Sequence, residues 1–277
     1  MTEEFSELIK QNRVILNLKN CPCCFGTLAR GKVLKQKFPE IILTATNGLN
    51  IWKKLFFPYP LIVTNFEKVI RKNNITLIIH DLKINFNLYN AGLKYKIPQY
   101  FIFANNAHKW QFNLFEKIIF PYPLEMAEEF KDVKNKLMAG LIVKEIDKNK
   151  IKAVRDKYEI GEKPVTTVTV STGKHQNSEK LFQYAYDNFK DKYDLVFTYG
   201  ISYKGKTFPV KSSVFEENLM ELFSLSEKII SFGAYNTISE ALSLRKEIIS
   251  FPKPNNTGEE EVKRFAKYFS NIKILNL

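Results

Sequence analysis

Short apolar, β-rich runs alternate with helix-patterned segments along almost the whole chain, and this alternation restricts the fold more than any other feature. Runs of strand character are Val14–Leu18, Ile41–Ala45, Leu61–Val63, Thr76–Ile79 and Gln99–Phe103, followed by Val165–Val170, Leu195–Thr198, Lys228–Ser231 and Glu247–Phe251. The intervening patterns predict helices over Leu28–Lys37, Phe66–Lys72, Asn87–Lys94, Lys148–Lys157, Ser178–Phe189, Glu217–Phe223, Thr237–Leu244 and Glu259–Phe269. Strands that alternate with helices predict parallel sheets covered on both faces, the α/β doubly wound class. A charged stretch, Lys144-Glu-Ile-Asp-Lys-Asn-Lys-Ile-Lys152, follows the apolar Leu141-Ile-Val143 and marks a boundary. The expectation is two Rossmann-like parallel-sheet domains, 1–143 and 144–277, facing a cleft. The segment Phe57-Pro-Tyr-Pro-Leu61 returns as Phe120-Pro-Tyr-Pro-Leu124, either a remnant repeat or aromatic-proline punctuation of strands.

The densest local pattern is Ile229-Ile-Ser-Phe-Gly-Ala-Tyr-Asn-Thr-Ile-Ser-Glu240, continuing to Pro252. It reads as an apolar strand, a Gly turn, an amphipathic helix and a second strand. Thr237 or Asn236 is the expected cap, with Glu240 three residues past Thr237 completing a capping box. The start of such a helix carries unpaired N–H groups and the positive end of the dipole, which suit a phosphate. On these residues alone, a βαβ unit whose turn binds nothing accounts for the pattern equally well.

Charge and cysteine usage narrow the classes. The net charge of +13 is concentrated in the first half: residues 1–140 hold 20 Lys and Arg against 11 Asp and Glu, and the remainder 22 against 18. A basic half points to an anionic partner such as a membrane surface, nucleic acid or phosphorylated acceptor, or to a lysine-rich composition with solvated side chains. The chain has no run of five basic residues and no nucleic-acid-binding signature. No apolar run reaches the ~18–20 residues that span a bilayer, and the acidic start Met-Thr-Glu-Glu is unlike a secretory signal. A cytoplasmic protein is the expectation. All three cysteines lie in Cys21-Pro-Cys-Cys24, and His80, His108 and His175 lie in separate segments, a poor ligand set for zinc. No metal site is expected.

Four segments together resemble the GT-B glycosyltransferases, in particular the lipid-II-forming N-acetylglucosaminyltransferase group and small archaeal and bacterial transferases related to it. Gly26-Thr-Leu-Ala-Arg30 is similar to the Gly-His-x-x-Arg loop on the acceptor side, with Thr27 in place of the family histidine. Ile78-Ile-His-Asp81 through Ile97-Pro98 is similar to a strand–Asp–helix–Gly-x-Pro–strand pattern, and Asn105-Asn-Ala-His108 to an Asp-Asn-Gln-His segment. Ser171-Thr-Gly-Lys174 resembles the loop that opens the donor-binding domain. Gly233-Ala-Tyr-Asn-Thr-Ile-Ser-Glu240, then Glu259-Glu-Glu-Val-Lys-Arg264, resembles Gly-Gly-Tyr-Asn-Thr-x-x-Glu followed by Glu-Gln-x-x-Arg.

The resemblance implies transfer of a sugar from a nucleoside-diphosphate donor to an acceptor hydroxyl, without a metal and with the nucleotide sugar as substrate rather than cofactor. It implies that Asn236 and Thr237 hold the donor diphosphate, that Gly233, Ala234 and Tyr235 belong to the same donor-binding segment, and that Ser171, Thr172, Gly173 and Lys174 meet either phosphate or the reacting region. Glu240 would take the ribose, Glu260 and Glu261 the sugar hydroxyls, and Phe215 would lie near the base. Gly26, Thr27 and Arg30 would form the acceptor-side loop. With Thr27 replacing the family histidine, Asp81 and His108 are the candidate bases, a carboxylate needing burial to raise its pKa and an imidazole titrating near neutrality. The acceptor is unspecified; a lipid-linked one would place the basic half on the inner face of a membrane. The alternatives are a sugar-nucleotide epimerase or hydrolase of the same fold, and a non-catalytic protein that binds nucleotide sugars or nucleic acid.

Overall fold

A computed structural model of the chain describes residues 1–19, 26–46, 65–103, 109–170, 177–251 and 257–275. It divides into two compact units, Met1–Ile142 and Val143–Leu277.

In the first unit α1 (Glu3–Lys10) precedes β1 (Val14–Lys19), α2 (Gly26–Lys37), β2 (Ile42–Thr46), α3 (Phe66–Asn73), β3 (Leu77–Asp81), α4 (Phe86–Lys94) and β4 (Gln99–Ile102). Two 3-10 helices, Lys109–Leu114 and Leu124–Phe130, then flank β5 (Lys117–Phe120), and β6 (Lys136–Met138) closes the sheet. All pairings are parallel and the order is β2-β1-β3-β4-β5-β6. The strands carry apolar runs such as Val14-Ile-Leu16 and Leu77-Ile-Ile79 because both faces are covered. Leu16, Ile79, Ile102 and Ile119 join α1 (Phe5, Ile9) and α2 (Leu28, Leu34) on one face, while Ile15 and Ile78 join α3 and α4 through Phe66, Ile70 and Leu88 on the other.

Helix α1 was not expected, although its signal is present: Thr2 caps it by accepting from Phe5 N, acidic residues follow, and Phe5 and Ile9 share one face. Strands β5 and β6 also lay outside the expected set. The second copy of the aromatic-proline repeat is core: Phe120 and Tyr122 are buried, with Phe120 stacked on Phe130 at 4.0 Å. The first copy and the expected strand Leu61–Val63 lie outside the described residues.

The second unit runs α5 (Lys148–Lys157), β7 (Val165–Thr169), α6 (Ser178–Phe189), β8 (Asp194–Thr198), β9 (Lys211–Ser213), α7 (Leu219–Leu225), β10 (Ser226–Ser231), α8 (Tyr235–Ser243), β11 (Glu247–Ser250), α9 (Thr257–Ala266) and β12 (Ile272–Ile274). Its parallel sheet has the order β12-β11-β10-β7-β8-β9. The direction of winding reverses between β10 and β7, and in the first unit between β1 and β3. In open α/β sheets such reversal points, at the carboxyl ends of the strands, are where ligands bind. No described helix is long and apolar enough to cross a membrane.

Candidate functional site

In the second unit, β10 runs into a turn at Gly233, whose φ is +78°. Only glycine adopts this conformation without strain. A Cβ there would lie 2.0 Å from Val262 Cγ2 on α9 and 2.5 Å from Ser250 Oγ at the end of β11. Ser231 Oγ accepts from Gly233 N at 3.2 Å and ties the turn to its strand.

The left-handed turn lets the helix begin at once. Helix α8 starts at Tyr235 with Ala234 as its cap, and Ala234 supplies no side-chain hydrogen bond. This corrects the expected capping box: Asn236 and Thr237 are inside the first turn, and Glu240 lies in the second, too far on to reach the cap. Ala234 is exposed, Asn236 partly exposed, and Tyr235 and Thr237 buried, with Tyr235 against Phe265 at 6.0 Å.

The strand ends around this turn share one chemistry. Ser250, Ser231, Thr169, Thr198 and Ser213 occupy consecutive registers across β11, β10, β7, β8 and β9, and each is the last residue of its strand. Equal register puts all five hydroxyls on the same sheet face, which Val165, Val196 and Leu222 show to be the one covered by α5 and α7. Tyr158 OH donates to Ser213 Oγ at 2.8 Å, whereas Ser250 Oγ is buried without a hydrogen-bond partner.

Glu240 keeps partial solvent exposure, yet burial pushes its carboxyl up to about 7. Lys144 opposes the rise and Glu221 adds to it. Glu260 on α9 is exposed. Glu261, expected beside it at the sugar, is instead only 1% exposed, and its Oε1 accepts from Arg264 Nη1 at 2.7 Å. It lies one residue further round the helix than Glu260, which turns it inward. Phe215 follows β9 and is partly exposed.

In the first unit, Gly31 lets α2 approach β1 so closely that a Cβ there would meet Leu18 Cδ1 at 2.6 Å. That approach carries the neighbouring Arg30 to the end of β3, where Nε donates to Asp81 Oδ2 at 3.1 Å and Nη2 to Oδ1 at 2.7 Å. The pair is 3% and 0% exposed. Arg30 is therefore a helical, buried residue rather than part of an open acceptor loop, and Asp81, engaged on both oxygens, is an anchor rather than an accessible base. Leu82, just past Asp81, has φ +62°, a strained conformation at the reversal point.

One residue earlier, His80 is fully buried and its pKa is lowered to about 4 by burial, against a hydrogen bond to Gln99 that raises it. Its Nδ1 accepts from Asn85 N at 3.4 Å, so Nε2–H faces Gln99 Oε1 at 3.2 Å; Gln99 Nε2 in turn donates to Tyr89 O at 3.0 Å. The imidazole is neutral and fully used.

Neither a protein-family model nor the sequence of a curated protein matches the chain. Solved structures do. The calicheamicin glycosyltransferase CalG4 superposes with a TM-score of 0.64 at 12% identity, covering 95% of this chain and 85% of that one. MurG of Acinetobacter baumannii gives 0.62 at 12%, with the same coverage. The UDP-GlcNAc 2-epimerase of Neisseria meningitidis, bound to UDP-GlcNAc, gives 0.60 at 14%, covering 95% and 87%. The chain has the GT-B fold.

Within this GT-B fold the second unit brings together Gly233, Ala234, Asn236, Thr237 and Glu240 at one reversal point, and the first unit brings Arg30 to Asp81 at the other. Ser171, Thr172, Gly173, Lys174 and His108 lie outside the described residues; so do the side chains of Gly26 and Thr27, which open α2. Among the described residues no group of three His, Cys, Asp or Glu is arranged to hold a metal. Sequence reasoning missed Lys144 and Glu221. Their signals were present as a lysine at the domain boundary and a glutamate inside the apolar run Leu219-Met-Glu-Leu-Phe223.

Proposed function

We propose that the chain is a glycosyltransferase that moves a sugar from a nucleoside-diphosphate donor to an acceptor hydroxyl. The supporting observation is the Gly233 turn at a GT-B reversal point, leading into a helix whose first turn receives no cap from Ala234. Anionic groups are stabilised at such a helix start. As the sugar leaves, negative charge grows on the diphosphate, and N–H groups aimed there stabilise the transition state more than the ground state. Asn236 and Thr237 contact the phosphates and Glu240 accepts from the ribose hydroxyls. Gly233 and Ala234 leave room for the diphosphate, Ser171–Lys174, which follow β7 in the sequence, contribute to the same donor site, and Phe215 lies by the base. Glu260 faces the sugar. No metal is required by this reading. His108 is the proposed base, since Asp81 is committed to Arg30.

Calorimetric titration with UDP, GDP, CDP and dTDP tests the donor site. Saturable binding of one of them, weakened in Asn236→Leu, is the expected outcome; absence of binding to all four refutes the proposal. Release of free sugar from a nucleotide sugar in the absence of any acceptor would instead favour a hydrolase or epimerase.

We place the acceptor at an anionic membrane surface, on the inner face of a cell membrane. Helix α4 leaves Phe86 and Leu93 60% and 57% exposed. Seven residues apart, they share one helix face. Lys83 and Lys96 are exposed at the two ends of α4, in the half of the chain with the larger positive excess, while Lys94 is paired with Glu67. An apolar face rimmed by lysines fits a bilayer interface carrying negative charge. The full chain should float with vesicles containing 30% phosphatidylglycerol, less so in high salt, and Phe86→Asp/Leu93→Asp should abolish flotation. Equal flotation with neutral vesicles would refute the electrostatic part.

A further inference from the structure

We propose that Tyr158 and Glu216 are positioning residues for nucleobase recognition: together they fix Val214 and Phe215 as a preformed apolar platform on which the base of a nucleoside diphosphate rests. The inference rests on the donor site proposed at α8 and adds the residues that hold its nucleoside end. Its starting point is the way the chain leaves β9. Ser213 is the last residue of that strand, and its carbonyl accepts from Tyr199 N, just past β8, at 2.9 Å. Two apolar residues follow, and then Glu216, whose side chain is only 2% exposed. Tyr158 Oη lies 2.8 Å from Ser213 Oγ and 2.5 Å from Glu216 Oε2. A single phenol thus bonds the residue on either side of the Val214-Phe215 pair and clasps the link between them.

The clasp is itself braced. Tyr158 is the C-terminal cap residue of α5, is buried, and packs with Val165, Val196 and Leu222 in the core. A buried carboxylate is tolerated only with compensating partners, and Glu216 has them: Lys157 Nζ donates to Oε2 at 2.6 Å and Asn218 N to Oε1 at 2.9 Å. Asn218 is the residue before α7, and α7 lies against α5. The polar atoms of this cluster bond one another, whereas the residues that they fasten meet solvent: Val214 is 58% exposed and Phe215 partly exposed.

Position decides what such a platform serves. The strands of the second sheet are parallel, so the end of β9 and the Gly233 turn after β10 lie at the same, carboxyl, end of the sheet. In the order β10-β7-β8-β9 they are three strand spacings apart, about 14 Å. A nucleoside diphosphate held by its phosphates at the start of α8 and extended along the strand ends brings its base to this corner. A base has two flat faces, which aromatic and apolar side chains receive by contact rather than by hydrogen bonds. Ordering a loop on binding costs affinity, and a loop ordered beforehand avoids that cost. The Tyr158 clasp supplies the order in advance.

The test is calorimetric titration of the full chain with inorganic pyrophosphate, which reaches only the anion end, and with UDP, GDP, CDP and dTDP. Tyr158→Phe keeps the ring in the core and removes the bonds to Ser213 and Glu216. It should weaken the nucleotide that the parent binds by about five- to tenfold and leave pyrophosphate affinity unchanged. Ser213→Ala frees one side of the link and should give a smaller loss of the same kind; it carries the test should Tyr158→Phe fail to fold. Equal losses for nucleotide and pyrophosphate, the mark of a purely structural role, overturn the proposal, as does an unchanged nucleotide affinity in both variants. Pyrophosphate bound by the parent as tightly as any nucleotide would also overturn it, while leaving the anion site at α8 in place. If neither pyrophosphate nor any nucleotide binds, the donor site fails and the platform fails with it.

Discussion

Replacing Gly233 by alanine tests the geometry of the candidate site with a single methyl group. The new Cβ would lie 2.0 Å from Val262 Cγ2 and 2.5 Å from Ser250 Oγ, at φ +78°. The serine hydroxyl can rotate away. Val262 cannot do so easily, because a β-branched residue in a helix has essentially one χ1 rotamer and this side chain is fully buried. Overpacking of this kind costs about 1–3 kcal/mol, and a left-handed conformation in a residue with a Cβ about 1–2 kcal/mol. The expected loss is therefore about 2–5 kcal/mol in the second unit, a large share of the ~5–15 kcal/mol typical of a domain. Urea unfolding would register it as a lower midpoint, and hydrogen exchange at the β10 and β11 amides would assign it to the second unit rather than the first. The double variant Gly233→Ala/Val262→Ala should recover the collision but not the backbone strain, giving a coupling of about 1–2 kcal/mol in a double-mutant cycle. Gly161→Ala is the control: nothing lies within 4 Å of its Cβ, so it should be neutral or stabilising by up to about 1 kcal/mol. Stability of Gly233→Ala within ~0.5 kcal/mol of the parent, or no coupling to Val262, would refute the reasoning.

Three further outcomes are expected. Arg30→Met leaves the Asp81 carboxylate buried without its guanidinium and should destabilise the first unit by about 3–5 kcal/mol; a melting temperature close to the parent's would show that the pair does not anchor α2 to the sheet. His80 should make stability fall on acidification. Its folded pKa of about 4 lies below the ordinary 6.5, so the unfolded chain binds the proton more readily, and stability is fully present above pH 6.5 and lost progressively towards pH 4. The full effect is about 3 kcal/mol, read from urea midpoints between pH 7.5 and 4.5, and His80→Gln should flatten it. Glu240 has the opposite sign: its folded pKa is raised, so its stability term is present below pH 4.5 and lost as pH rises through about 7. Glu240→Gln should accordingly gain stability relative to the parent at pH 8, and an unchanged midpoint there would contradict the burial of that carboxyl.

What could be read in advance was what burial imposes on sequence. Central parallel strands are buried on both faces and so appear as apolar or β-branched runs, Leu77-Ile-Ile79 at the start of β3 and the whole of Val165–Thr169. Edge strands lack that constraint. Lys211-Ser-Ser213 has no apolar residue, and Ile272-Lys-Ile274 is only three residues long, so neither carries a recognisable pattern. The Gly233 turn was legible as a turn, but the start of α8 was misplaced because propensity favours Asn236 or Thr237 as a cap. Gly233 instead turns left-handed, with no room for a Cβ beside Val262 and Ser250, and the helix begins two residues sooner. The commitment of Asp81 to Arg30 depends on a contact between residues 51 apart, which no local pattern encodes. The same holds for Lys144 and Glu221, 77 apart.

The cap of α8 has a consequence for how this chain can be improved or can drift. A serine or aspartate at position 234 would supply the capping oxygen that Ala234 lacks, an exchange that adds about 1 kcal/mol to a typical helix. By stability alone Ala234→Asp is a favourable exchange, and consensus-style engineering for heat resistance would select it. The same carboxylate would occupy the place proposed for the donor diphosphate and repel it. On the proposed donor site, position 234 is where thermal hardening and nucleotide binding pull in opposite directions, and a screen that rewards only survival on heating should enrich substitutions there that weaken binding of the diphosphate.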